Sequence, residues 1–102
     1  MIAISATGKK ARDLMDLRFA KCPYFVLINE KGTITVENPF CNEKCNVATQ
    51  VVSWLHKLGV TKVITGELGP KARTLLFELK IQIVLMDAEK ISIQNIHKKL
   101  NI

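Results

Sequence analysis

The stretch Val63-Ile-Thr-Gly-Glu-Leu-Gly-Pro-Lys-Ala72 constrains this chain more than any other. A β-branched run, Val63-Ile64, passes into Thr65-Gly66, and the Gly69-Pro70 step opens a pattern with Leu75, Leu76 and Leu79 along one helical face. The reading is strand, tight turn, helix. Pro70 suits the first helical position, where its missing N–H costs nothing, and Gly66 and Gly69 let the backbone turn tightly and approach a ligand. The unpaired N–H groups of that first turn, with the positive end of the helix dipole, form a place for an anion. Many α/β loops share this form without binding anything, so its weight depends on what else reaches the same edge of the sheet.

The other segments can be ordered around this unit. Ile2 to Ser5 is a short apolar strand, and Ala6 to Lys21 is a long connection that Leu14, Leu17 and Phe19 can pin to the core. Tyr24 to Asn29 is strongly β in composition, Glu30-Lys31-Gly32 is a hairpin turn, and Thr33 to Glu37 alternates like a return strand. Asn38-Pro39 stops that strand, and Phe40 to Cys45 forms a loop. Asn46 is suited to cap a helix in which Val47, Val51, Trp54, Leu55 and Leu58 share a face, with Gly59 just past its end. A strand over 61–65, a helix over 68–80 and a strand from Ile81 to Leu85 come next. A last helix, starting near Asp87 or Ser92, buries Ile93, Ile96 and Leu100.

All 102 residues are expected to form one domain, with 48% hydrophobic residues to build one core. Strands and helices alternate in the second half, which implies parallel pairing there. With right-handed crossovers the simplest assembly is a five-stranded mixed sheet in the order 3-2-1-4-5, strand 2 antiparallel to the rest, flanked by helices. In that arrangement loops 6–22, 38–46 and 65–70 converge at the carboxyl ends of the parallel strands, where ligands of open α/β sheets bind.

Fifteen Lys and Arg against nine Asp and Glu give a formal charge of +6, which favours an anionic partner. The basic residues are dispersed, and only Phe19 and Tyr24 offer nearby stacking surface, so nucleic acid ranks well below a small anionic ligand. Arg18, Lys21, Lys71 and Arg73 could together hold such an anion, although solvated surface charge is the commoner role for any one of them. No apolar run approaches the roughly 20 residues a membrane helix needs, and Met1 to Lys10 has no leader pattern; the expectation is a cytoplasmic protein.

Three cysteines in a reducing compartment do not form a disulfide framework. Cys22 precedes strand 2, and Cys41 and Cys45 follow strand 3, so all three thiols are placed at one edge. Thiolates hold iron, copper and iron–sulfur clusters, and a Cys-x-x-x-Cys loop can reach one metal or adjacent metals of a cluster. A packed, inert thiol is the competing reading for Cys22, and a reversible Cys41–Cys45 disulfide or incidental loop cysteines for the pair. His56 and His97 are expected on the surface, away from this edge. Strands 1 and 4 carry no acid and no histidine falls at the loop edge, so two-metal hydrolysis and triad catalysis lack their residues. The reading is a protein that is not an enzyme.

Four stretches, Met1-Ile-Ala-Ile4, Asp16-Leu-Arg-Phe-Ala-Lys-Cys-Pro-Tyr-Phe25, Val36-Glu-Asn-Pro39 and Val63 to Ala72, give the chain a resemblance to the dinitrogenase iron–molybdenum cofactor biosynthesis family. The resemblance implies a ribonuclease H-like α/β fold. It also implies a non-catalytic role in binding, carrying or sensing an iron- or molybdenum-containing cluster, with a protein that receives it as a further partner. By position, Arg18, Phe19, Cys22 and Pro23 fall in the family's loop motif, and Thr65, Gly66, Gly69 and Pro70 in its turn motif. Leu17 and Ala20 replace a frequent Pro and Gly, Arg18 stands where some members have histidine, and Phe40-Cys-Asn-Glu-Lys-Cys45 replaces a loop that is commonly glycine-rich. The last two departures suggest ligation by cysteine. The expected site is therefore a cluster of iron–sulfur or iron–molybdenum type on Cys41 and Cys45, with Cys22 as a third ligand. Arg18, Phe19, Lys21, Thr65, Gly66, Gly69, Pro70 and Lys71 surround it. The alternative is a thiol redox or sensing module built on a Cys41–Cys45 disulfide.

Overall fold

A computed structural model describes residues 1–10, 13–86 and 92–99. The elements run β1 (Ile2–Ala6), β2 (Tyr24–Asn29), β3 (Gly32–Glu37), α1 (Val47–Lys57), β4 (Lys62–Thr65), α2 (Pro70–Glu78), β5 (Gln82–Leu85) and α3 (Ile93–Lys99). The five strands form one sheet in the order β3-β2-β1-β4-β5. β2 is antiparallel to β1 and β3, while β1, β4 and β5 run parallel. This is the expected α/β arrangement, and its strand order is compatible with a ribonuclease H-like motif.

β2 is almost wholly apolar because it is covered on both faces, and its Phe25 to Ile28 are all buried. Phe25 and Leu27 join Ala3 and Val63 under α1 and α2, against Val51, Val52, Leu55, Ala72 and Leu76. Val26, Ile28, Ile4 and Ile64 face the other way, toward Ile93 and Ile96 of α3. Strand alternation thus divides the apolar residues between two cores, one on each side of the sheet. The hairpin turns through Glu30-Lys31 into Gly32, whose φ of 138° is a conformation that side chains disfavour.

Some expectations shift at the helix ends. α2 spans Pro70–Glu78 rather than 68–80, because Gly69 is extended at φ −68°, ψ 163° and cannot be a helical residue. Leu58 and Leu79 close their helices and are more than a third exposed, whereas Val52 is buried in the stripe of α1. Trp54 is half-buried and meets Phe25 and Phe40 edge-on, with ring centroids 6.0 and 6.1 Å away, so it packs as expected. In the long connection Phe19 is buried, and Met15 is buried with it, while Leu14 and Leu17 are half-buried. Asp87, Leu100 and the side chain of His97 lie outside the described residues. No helix among the described residues is long and apolar enough to cross a membrane.

Candidate functional site

The loops after β1, β3 and β4 meet at the carboxyl ends of the parallel strands. Asp16 organises the first. Its N–H donates to the Ser5 carbonyl at 2.9 Å, and Ser5 Oγ donates back to the Asp16 carbonyl at 2.6 Å. Ser5 Oγ also lies 2.8 Å from Thr65 Oγ1, so a buried hydroxyl pair ties the loop to the ends of β1 and β4. The Asp16 carboxylate accepts from Arg18 N at 2.9 Å, from Arg18 Nε at 3.1 Å and from Arg18 Nη2 at 3.0 Å. Its hydrogen bonds, and then its charge, push the Arg18 pKa above the ordinary value. The guanidinium is therefore aimed by a carboxylate that is 6% exposed, while 63% of the Arg18 side chain remains in solvent.

The turn after β4 docks against that loop. Glu67 N donates to the Leu17 carbonyl at 2.7 Å, and Gly66 lies so close to Leu17 that a Cβ there would come 2.8 Å from Leu17 Cα. Three residues after Gly66, Gly69 leads into Pro70, and α2 begins with no side-chain cap and no acid in its first turn. The first-turn N–H groups are left to solvent or to a ligand.

The third loop is locked by Asn38, which is buried. Its Nδ2 donates to the carbonyls of Ala20 at 3.0 Å and Cys22 at 2.8 Å, and its Oδ1 accepts from Phe40 N at 3.0 Å. Lys21 Nζ donates to the Glu43 carbonyl at 2.7 Å, a second tie between loops. Asn46 holds the residue position expected of a cap but does not cap α1. At φ 56° and ψ 31° its side chain makes no capping bond, and Asn46 Oδ1 accepts instead from Lys71 Nζ of α2 at 3.4 Å. Both helices therefore start at this edge with their N-termini uncapped by side chains.

Between them lies a shallow depression of about 300 Å³ that collects five of the expected residues, Arg18, Phe19, Gly69, Pro70 and Lys71, together with Glu67. A neighbouring depression of about 470 Å³ shares Arg18 and Glu67 and runs over Asp16 and Leu17. Thr65 and Gly66 support this surface from below, one through its hydroxyl pair and the other by close packing. Lys21 lines neither depression, and its ammonium donates to the Glu43 backbone carbonyl. The sequence reading does not assign Asp16, Asn38 or Glu67 to the site. The Asp16-x-Arg18 spacing and the strand-ending Asn38-Pro39 were the available signals.

The thiols divide. Cys41 is half-buried and Cys45 exposed, and both are free, with no disulfide between them. Cys22 is fully buried and donates to the Phe19 carbonyl at 3.2 Å. Burial, and then the charge of Asp16, push its pKa up to about 12, so it stays a protonated core thiol. A thiol ligates as thiolate and needs access to the metal, and Cys22, expected as a third ligand, is closed off in the core here. Among the described residues no three His, Cys, Asp or Glu side chains converge as a metal site. His56 is exposed on α1.

The sequence matches the family model described as dinitrogenase iron-molybdenum cofactor over residues 1–101. Among solved structures, the apo form of the orange protein from Desulfovibrio gigas superposes with a TM-score of 0.88 at 24% identity, covering 98% of this chain and 85% of that one. An NMR structure of a putative NifB protein from Thermotoga gives a TM-score of 0.81 at 24% identity, with the same coverages of 98% and 85%. At that identity the likeness is one of fold. A comparison with curated proteins finds no match.

Proposed function

Because the chain belongs to the dinitrogenase iron–molybdenum cofactor family, we propose that it binds and carries an iron- or molybdenum-containing cluster at the carboxyl edge of its sheet, without turnover. The carrying observation is the depression where Arg18, Phe19, Gly69, Pro70 and Lys71 meet between two uncapped helix N-termini. A sulfide-bridged cluster is an anion. Preorganised N–H groups, a guanidinium fixed by Asp16 and the Lys71 ammonium offset that charge without closing over it.

The donor set suits a cargo better than a resident metal. Cys41 and Cys45 offer two accessible thiols in the adjoining loop, and no third donor gathers with them among the described residues. A cluster held by two thiolates keeps open coordination positions, which a recipient protein can take over by ligand exchange. Cys22 remains in the core and supports the Phe19 turn.

Anaerobic reconstitution with iron and sulfide tests the reading. Wild type should gain sulfide-to-iron absorption and retain iron through desalting, and Cys41→Ser with Cys45→Ser should lose both. Arg18→Gln with Lys71→Gln should weaken retention, and more so at low salt, where charge contributes most. A colourless, iron-free wild type after reconstitution would overturn the proposal. Loss of two titratable thiols on oxidation, in that event, would point to the Cys41–Cys45 redox pair.

A further inference from the structure

Among the described residues the sheet leaves one long edge open. Asn38 N donates to the Pro23 carbonyl at 2.9 Å, which fixes the hydrogen-bonding parity of β3. Counting back in twos, residues 36, 34 and 32 face β2, and Thr33, Thr35 and Glu37 turn their N–H and C=O groups outward. β3 is a six-residue strand whose pairing with β2 is unbroken from Gly32 to Glu37, with no bulge and no proline. It thus lacks several devices that protect natural sheet edges. Ile34 is 60% exposed, so no described helix overhangs the edge on the α1 side.

The ends of this edge are complementary to each other. Lys31 and Glu37 are both exposed, and neither has an ion-pair partner among the described residues. If β3 meets a second β3 antiparallel, with Ile34 opposite the partner subunit's Ile34, then Lys31 faces the partner subunit's Glu37 and Glu37 faces the partner subunit's Lys31. Thr33 then stands opposite the partner subunit's Thr35, and these are the residues whose backbone groups point outward. Parity, charge and the Thr–Thr pairing agree in this one register.

We propose that β3 is the seat of a two-fold homodimer in which the sheets of two copies join edge to edge. The contact is isologous and closes at two chains. The two carboxyl edges point in opposite directions, so neither cargo site is covered and dimer formation is independent of cluster binding.

Sedimentation velocity between about 10 μM and 1 mM tests this on the apo chain. Wild type should shift from monomer to dimer, and Thr33 and Thr35 amides should become protected from hydrogen exchange as it does. Thr35→Pro removes an N–H that the monomer does not use and should raise the dissociation constant at least about tenfold, with the fold checked by urea unfolding. Lys31→Glu alone should also weaken the dimer about tenfold, and adding Glu37→Lys should restore it to within about threefold. A chain that stays monomeric at 1 mM would overturn the proposal and leave the edge to another occupant. So would a dimer indifferent to Thr35→Pro, or a charge swap that fails to restore it.

Discussion

Gly66→Ala probes the closest packing at the site. A Cβ there would overlap Leu17 Cδ2 and lie 2.8 Å from Leu17 Cα and 2.9 Å from Leu17 Cβ. Carbon atoms at rest are about 3.5–4.0 Å apart. A new rotamer can withdraw Cδ2, but Cα and Cβ move only with the backbone. The loop must therefore shift, and the 2.7 Å bond from Glu67 N to the Leu17 carbonyl lengthens with it. Overpacking costs about 1–3 kcal/mol and a weakened hydrogen bond up to about 1 kcal/mol, partly offset by about 0.4–1 kcal/mol from the stiffer unfolded chain. The net expectation is a loss of about 2 kcal/mol, or roughly 8–16 °C in Tm. Trp54 is the only tryptophan and is packed against Phe25 and Phe40, so its fluorescence during urea unfolding reports the change. Gly69→Ala is the control: nothing lies within 4 Å, its φ of −68° suits alanine, and the expected cost is at most about 1 kcal/mol. Adding Leu17→Ala to Gly66→Ala should recover only part of the loss, since Cα and Cβ remain. A Gly66→Ala chain within about 0.5 kcal/mol of wild type would refute the packing argument.

Two further outcomes follow from buried groups. Ser5 Oγ gives its single proton to the Asp16 carbonyl, so Thr65 must donate to Ser5. Ser5→Ala orphans both a carbonyl and a hydroxyl and should cost about 2 kcal/mol, against about 1 kcal/mol for Thr65→Val; the reverse order in urea unfolding would contradict this proton arrangement. Cys22 has its pKa raised from the ordinary 9.0 to about 12, so its contribution is complete below pH 9. Above that, the unfolded chain loses the proton first, and stability falls as pH rises until the folded thiol also ionises. The stability advantage of wild type over Cys22→Ala should therefore shrink by about 2 kcal/mol between pH 9 and 10.5. A constant difference over that range would show that the thiol is not held protonated.

The sheet was legible because its signals are local. The Tyr24–Asn29 run, the Gly32 turn and the Gly69-Pro70 step each specify an element, and right-handed crossovers then leave few ways to order the strands. The convergence of three loops followed from that order. What escaped depends on direction rather than composition. Lys21-Cys22-Pro23 leaves both a ligating and a packed thiol open, a choice made by the turn that brings Cys22 onto the Phe19 carbonyl. Asn46 has the side chain of a cap, but its left-handed backbone carries the amide toward Lys71. Asp16 is one loop acid among several until Ser5 and Arg18 are seen around it, because a buried carboxylate is recognised by its partners. Leu58 and Leu79 continue helical stripes that outrun the surface they pack on, so periodicity places them in the core and the end of the helix does not.

The location of the cargo is the central claim, and paramagnetic broadening of backbone amide signals tests it most directly. On reconstitution of the ¹⁵N-labelled chain with an iron–sulfide cluster, signals of residues 18–20, 41–48 and 69–72 should broaden beyond detection. Those of Lys62 and Gln82, at the amino ends of β4 and β5 and away from the β3 edge, should persist. Broadening centred on those amino ends, or a spectrum unchanged at the carboxyl edge while iron remains bound, would contradict the account.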